Sequence, residues 1–572
     1  MRGAALIVLL AALTAEAANV SIERPRWLKP YAPKEGDEEL IFTPPDFNKP
    51  GRPAIAKGDH LARLRIKVLD DVTGNPAFCR INVVGPDGNF YQPQKTRLTP
   101  YSLTGQWPKT LAGNRPGKAP IRYLGRFFYS NGDTEIFVPP GANRIEVWKG
   151  FEFRPVSRVV ELKPQETREV SLKLKRAVDM TALDMYSGDT HLHFDRIKRE
   201  DDETIVDLMA AEDVRYGYVL CYNGTGSYDG RMAKQDIPQM RGLGNNSVFR
   251  RGDYRIMSAQ EYRSGHFGHT KVFLSDQLVQ AGKSYDPNGW PVFGEAVRSI
   301  REDGGLVFWA HGGYSKEIFA DYVLGTVDGM ELMQFGIYRP IGLEGWYKIL
   351  NIGFRFPSLG ASDFPACRKL ADCRTYVDSP REPTMEGWLR GAAAGRSFFT
   401  TGPMLLLSAD GRRPGGIVHF MGEKTLPTKI RVRSEVAPVT HVDLIVNGEV
   451  VARKTWDKTA GQGRWLELEH ELKLKRSSWV AATAYSQSAT GNPDAEAHTN
   501  PIYFYRDNQA PYRADDLEWL LAKLEGRIAA HRKRKIAIGK DKVLAYFERA
   551  RQRLLQIREN KGQRISATAN ER

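Results

Sequence analysis

The sequence predicts a multidomain protein. A central βα domain, either a barrel or an open α/β sheet, is expected between two β-sandwiches, with a helical hairpin at the C-terminus. Three observations carry this. The chain has 572 residues, whereas one domain usually takes roughly 100–200. Short runs of alternating polar and apolar residues occupy its flanks, while strand-length apolar runs alternate with helical segments between about 182 and 405. Near the C-terminus the apolar positions change to helical spacing.

The elements follow in order. Residues 1–17 are expected to be a signal peptide: a basic Met1-Arg2 start, an apolar stretch from Ala4 to Leu13, and Ala15-Glu16-Ala17 as a small-x-small cleavage site. Residues 18–57, with Pro25, Pro30, Pro33, Pro44, Pro45 and Pro50, suit an extended leader. Residues 58–178 alternate, as in Leu64-Arg65-Ile66-Lys67-Val68, and are punctuated by Gly85-Pro86-Asp87-Gly88 and Pro139-Pro140-Gly141. That pattern indicates a small antiparallel β-sandwich. Within 182–405, Tyr216–Leu220, Leu306–Trp309 and Gly329–Met333 are of strand length, and Glu203–Ala211 and Phe293–Arg301 have helical periodicity. Residues 406–508 alternate again, with Asn447-Gly448 as a hairpin turn. Residues 509–572 hold two amphipathic stretches, Asp515–Ala530 and Lys542–Ile557, with Gly539 between them.

Composition narrows the function. The apolar stretch from Ala4 to Leu13 is too short to span a bilayer comfortably, and no later segment reaches about 18 consecutive apolar residues, so no stable membrane insertion is expected. Four cysteines are too few for a disulfide scaffold; Cys367 and Cys373 are spaced for a local bridge. Net charge is +15, much of it in the last sixty residues. No basic stripe interleaved with aromatics marks a nucleic-acid surface, and none is expected as partner.

Five of the eleven histidines fall between 191 and 311, each at or beside an apparent strand end. Imidazole is the commonest neutral ligand for Zn, Mn or Fe. In Asp189-Thr190-His191-Leu192-His193 the two histidines point to one face of a strand. Glu261 ends a run from Tyr254, and its two oxygens suit a bridge between metals. His266 and His269 follow in Gly265-His266-Phe267-Gly268-His269. His311 ends the apolar run Phe308-Trp309-Ala310, and Asp363 follows Gly360-Ala361-Ser362. Each is common alone. Together they place His-x-His, Glu, His, His and Asp at successive strand ends, which converge at one mouth in a βα barrel.

At these residues the sequence resembles the polymerase and histidinol phosphatase (PHP) superfamily of metal-dependent hydrolases, and within it the carbaryl-hydrolase-like branch. The resemblance covers about 182–405. It rests on Gly188-Asp189-Thr190-His191-Leu192-His193, Glu261, Ala310-His311 and Gly360-Ala361-Ser362-Asp363, extended by Arg374-Thr375-Tyr376-Val377 and Gly395-Arg396-Ser397-Phe398-Phe399-Thr400-Thr401-Gly402-Pro403. It implies a distorted (β/α)7 PHP-type barrel with divalent metal ions. Carried over by position, His191, His193 and Asp363 bind one metal, Glu261 bridges, and His311 with His269 or His266 binds the second; His269 is preferred because a β run follows it. The superfamily's Asp-His pair after the second strand is absent here, where Cys221-Tyr222-Asn223 stands, as is a histidine after Asp363. One or two ions (Zn, Mn or Fe) are therefore expected rather than three.

The expected function is an exported metal-dependent hydrolase that turns a metal-activated water on an ester, amide, carbamate or phosphoester bond of a small-molecule or glycan-linked substrate. Asp363 or Asp189 would orient that water or carry its proton, and Arg263 would hold an anionic group of the substrate. Asp189 or Asp195 would also orient the histidines. The alternative is a catalytically degenerate PHP-like binding protein for carbohydrate or another surface ligand. The C-terminal helices are candidates for pairing with a second chain.

Overall fold

The structure, a computed structural model, describes residues 60–94, 96–102, 127–223, 242–264, 266–279, 289–312, 318–334, 337–338, 341–365, 369–457, 461–486 and 495–560. The expected signal peptide, the leader and the Cys367–Cys373 bridge lie outside the described residues, as does the tail after 560.

The N-terminal domain is built of two sheets. One holds Asp133–Val138, Ala62–Asp70 and Thr167–Leu174; the other holds Phe90–Tyr91, Cys79–Val84, Gly141–Trp148 and Val156–Leu162, with Phe128–Ser130 beside Cys79–Val84. Alternation does the work: Ala62, Leu64, Ile66 and Val68 point inward and meet Ile81, Val83, Ile145 and Val147. The expected all-antiparallel pattern needs one correction. Ala62–Asp70 and Thr167–Leu174 pair in parallel, because they are the first and last strands of the domain and no hairpin joins them.

The central domain holds the strands that carry the histidines and acids singled out in the sequence, with their neighbours: β1 (Met185–Leu192), β2 (Tyr216–Asn223), β3 (Gly244–Arg251), β4 (Tyr254–Ser264), β5 (Gly268–Phe273), β6 (Leu306–Trp309), β7 (Gly329–Gln334), β8 (Ser358–Gly360), β9 (Arg374–Asp378) and β10 (Ser397–Thr400). Between them lie α1 (Arg199–Glu212), α2 (Phe293–Ala296), α3 (Arg298–Glu302), α4 (Ile318–Val323), α5 (Gly342–Asn351) and α6 (Met385–Ala393). β1 and β2, β2 and β4, β6 and β7, and β7 and β8 pair in parallel. β3 with β4, β4 with β5, β5 with β6, and β9 with both β1 and β10 are antiparallel. The sheet is therefore mixed, not the uniform parallel set of an ideal βα barrel. Its interior strands are buried almost throughout, as strands covered on both faces are, and the polar residues among them include those of the site. β8 meets β9 through Thr375, whose hydroxyl donates to the Gly360 carbonyl and accepts from the Gly360 N–H.

The C-terminal sandwich packs Met404–Ala409, Lys424–Arg433 and Leu466–Leu474 over a second sheet that includes His441–Val446, Ser478–Ser486, Ala495–Thr499 and Ile502–Arg506. Met404–Ala409 crosses the expected boundary at 405/406. β10 also pairs directly with Ala495–Thr499, so the central sheet continues into the sandwich. Helices α7 (Ala514–Lys533) and α8 (Lys540–Glu559) form the expected hairpin. Its apolar side, including Leu517, Leu520, Leu524, Val543, Phe547 and Leu554, is buried in the core that also holds Trp309, Phe319 and Trp346. Among the described residues, no helix is long and apolar enough to cross a membrane.

Candidate metal centre

The residues singled out in the sequence meet in space. His191 and His193 leave the end of β1, Glu261 and Arg263 the end of β4, and His269 the start of β5. His311 follows β6 and Asp363 follows β8. Register explains the meeting of β4 and β5: Arg263 pairs with His269 across the antiparallel ladder, two rungs from Glu261 with Lys271. His311 and Asp363 both have left-handed backbone, with φ of 56° and 58°. Non-glycine residues rarely adopt it, and strain of about 1–3 kcal/mol at such positions persists where surrounding structure holds them.

Two groups emerge. His191 Nε2 and His193 Nε2 stand 3.1 Å apart, and Asp363 Oδ1 lies 3.3 and 3.1 Å from them. On the other side, His269 Nδ1 and His311 Nε2 are 3.0 Å apart. Glu261 lies between the groups: Oε2 is 3.2 Å from His193 Nε2, while Oε1 is 3.0 Å from His269 Nδ1 and 3.2 Å from His311 Nε2. His191, Glu261 and His311 are buried, whereas His193, Asp363 and His269 keep 14–18% of their side-chain surface. The cluster is thus open on one side.

The outer nitrogens show what the inner ones must do. His193 Nδ1 faces the Leu220 carbonyl at 3.3 Å, which only accepts, so that nitrogen carries the proton. His191 Nδ1 donates to Glu331 Oε2 at 2.7 Å, and His311 Nδ1 to Gln334 Oε1 at 2.9 Å. In the neutral rings, Nε2 of His191, His193 and His311 then turns an electron pair inward, towards carboxylate oxygens that also offer only electron pairs. Such a set requires positive charge at its centre. Nearby Lys271, 2.9 Å from Glu331, and Arg263 supply part of it. Burial opposes protonation of His191, yet Glu331, Asp363 and Glu261 outweigh it and push its pKa up to about 10, so without an ion a proton on this ring supplies the positive charge that a divalent ion would otherwise bring. Burial likewise opposes ionisation of Glu261, but Arg263, His269 and His191 hold its pKa well below the usual carboxylate range. Imidazole and carboxylate donors at these separations fit one or two divalent ions, with His191, His193 and Asp363 at one position, His269 and His311 at the other, and Glu261 reaching both.

Some expectations change. His266 is exposed on the turn between β4 and β5; the cluster takes His269, because the ladder directs His269 inward beside Arg263. Asp189 does not face the cluster. Its Oδ1 accepts from the His191 and Ser362 N–H groups, and its Oδ2 from Ser362 Oγ and the Ala371 N–H. It therefore ties the Asp363 segment to β1, as a positioning residue and not as a proton carrier. Burial raises its pKa to about 6, against the opposing Ser362 donors. Asp195 is exposed, and the outer nitrogens of His191, His311 and His193 face Glu331, Gln334 and the Leu220 carbonyl instead of either acid. Arg263 gives Nε and Nη2 to Glu261 Oε2, at 2.8 and 2.5 Å, and keeps 17% of its side chain exposed at the opening. Sequence reasoning missed Glu331, Gln334 and Lys271. Glu331, an acid inside the apolar run Gly329–Met333, was the available signal.

No family model and no curated protein matches the chain. Among solved structures, similarity extends to PsfC from Pseudomonas syringae PB-5123, at 14% identity and a TM-score of 0.25, over 36% of this chain and 88% of that one. A streptococcal ancillary pilin matches at 10% identity and a TM-score of 0.13, over 24% of this chain and 38% of that one. Likenesses this slight do not bear on the chemistry of the cluster.

Proposed function

We propose that the protein is an exported metal-dependent hydrolase of the PHP superfamily, acting on an ester, amide, carbamate or phosphoester bond. One observation carries this: the inward electron pairs of His191, His193, His269, His311, Glu261 and Asp363 converge on a half-open cluster whose outer nitrogens are held by Glu331, Gln334 and a carbonyl. The parallel β1–β2–β4 and β6–β7–β8 runs, with helices between strands, support a distorted PHP-type barrel around it.

A bound divalent ion would supply Lewis acidity and bring water towards ionisation at neutral pH. The residues do the rest. His191, buried and fixed by Glu331, holds one side rigid. Asp363, at the opening, is placed to take or return a proton through its carboxylate. Arg263 is placed to pair with a negative group of the substrate.

Elemental analysis of the purified full chain, followed by an ester, carbamate, amide and phosphoester panel on metal-loaded protein, tests the proposal. About one or two Zn, Mn or Fe ions per chain and turnover of at least one class are expected. His311→Ala should lower turnover by more than about 100-fold and reduce metal content. Full metal content with no turnover of any class would favour a binding protein instead.

A further inference from the structure

The cluster offers two sets of the same donors, each of two imidazole nitrogens and one carboxylate oxygen. His191 Nε2, His193 Nε2 and Asp363 Oδ1 are 3.1–3.3 Å apart. His269 Nδ1, His311 Nε2 and Glu261 Oε1 are 3.0–3.2 Å apart. Ligands about 2.0–2.1 Å from one tetrahedral ion stand about 3.3 Å from each other, so each set fits one ion. The remaining oxygen, Glu261 Oε2, lies 3.2 Å from His193 Nε2 and would be the fourth donor of the first set.

Arg263 takes that oxygen. Two residues on from Glu261 along β4, it shares a face of the strand with it. Its Nε and Nη2 both donate to Oε2, at 2.8 and 2.5 Å, which engages both lone pairs of a carboxylate oxygen. Nη2 also lies 3.5 Å from His193 Nε2, so the guanidinium charge stands beside the first set. Glu261 Oε1 is turned the other way. It is 3.6 Å from His191 Nε2, but 3.0 and 3.2 Å from the ligand nitrogens of His269 and His311. The carboxylate behind His191 does not offset the guanidinium, because Glu331 is itself paired with Lys271 at 2.9 Å, both side chains being buried.

We infer that Arg263 makes the two positions unequal. One ion is held tightly between His269, His311 and Glu261. A second, between His191, His193 and Asp363, binds more weakly for as long as Arg263 holds Glu261 Oε2. Guanidinium and divalent ion compete for one oxygen, and the fixed positive charge beside His193 repels the incoming one. Arg263 is thereby a positioning residue that decides whether Glu261 bridges. This inference rests on the metal-binding reading of the cluster.

Its test is titration of the chelator-stripped full chain with zinc against a chromophoric chelator. Wild type should take up two ions in steps at least about tenfold apart. Modification by diethyl pyrocarbonate, read by mass spectrometry, should show His269 protected by the first equivalent and His193 only by the second. Arg263→Met should tighten the second step at least about tenfold and leave the first within about threefold. Arg263→Lys, which keeps the charge without the paired N–H groups, should restore part of the gap. Asp363→Asn, whose side chain tolerates the left-handed backbone at this position, should lose the second step alone. A single ion in wild type that protects His269, with a second taken up only by Arg263→Met, is the same result at its limit. Two equal steps in wild type, a second step unmoved in Arg263→Met, equal tightening of both, or His193 protected first would overturn the inference and leave the metal reading standing. No bound zinc in any variant would refute the metal reading, and this inference with it.

Discussion

At the scale of single residues, the proposed metal centre depends as much on the groups behind the histidines as on the histidines themselves. Glu331 is buried, accepts from His191 Nδ1 and pairs with Lys271. It fixes which nitrogen of His191 turns inward. Glu331→Gln should therefore lower metal affinity by about 10- to 100-fold, measured by titration of the chelated protein, with the fold retained by circular dichroism. Its importance was not legible in the sequence, because an acid in an apolar run can serve a core, an ion pair or a site, and only packing decides. His498 offers a pH test. Burial lowers its pKa to about 4; Tyr347 faces its Nε2 at 2.5 Å and the Thr499 carbonyl its Nδ1 at 2.7 Å. The unfolded chain takes up this proton near pH 6.5 and the folded chain only near 4. Stability is thus fully present above 6.5 and falls as pH drops through the window from 6.5 to 4, by about 3 kcal/mol. Urea unfolding at pH 7 and pH 4.5 should show a smaller drop in His498→Gln than in wild type.

At the scale of elements, small residues decide how close the pieces come. Gly188 in β1 lies against Trp388 of α6: a Cβ there would stand 2.4 Å from the indole ring, whose N–H donates to the Tyr186 carbonyl. Gly188→Ala should destabilise the protein by about 1–3 kcal/mol through displaced packing, read as a lower denaturation midpoint. Because β1 carries His191 and His193, metal affinity should fall with it. Element types were largely legible. Asn447-Gly448 forms a hairpin turn with φ of 52° and 87°, both in the region that this pair tolerates. The expected helix at Phe293–Arg301 is instead two short helices, α2 and α3, because Val297 between them departs from helical backbone. Periodicity alone does not register a break of one residue.

At the scale of the whole molecule, the C-terminal hairpin is part of the core. Leu517, Leu520, Leu521, Leu524, Val543, Phe547 and Leu554 are each at most 3% exposed, and Tyr546 donates to Asp321 of α4 at 2.5 Å. Deleting residues after Asp507 would open this apolar surface to water, and the product should aggregate or unfold. A soluble truncated chain with unchanged melting temperature would contradict this. The hairpin's amphipathic spacing was visible in the sequence, but the surface it covers was not.

What the sequence by itself determined is what local chemistry dictates: alternating faces of strands, turns at glycine and proline, amphipathic helices, and histidines and acids at strand ends. What only the tertiary structure decided is orientation. It selected His269 over His266 and turned Asp189 to the Asp363 segment. It assigned the histidines to Glu331, Gln334 and Leu220, and set Arg263 against one oxygen of Glu261. The reason is physical. Side-chain direction along a strand follows from neighbours in sequence, but which side chains face one another follows from register and packing between segments hundreds of residues apart.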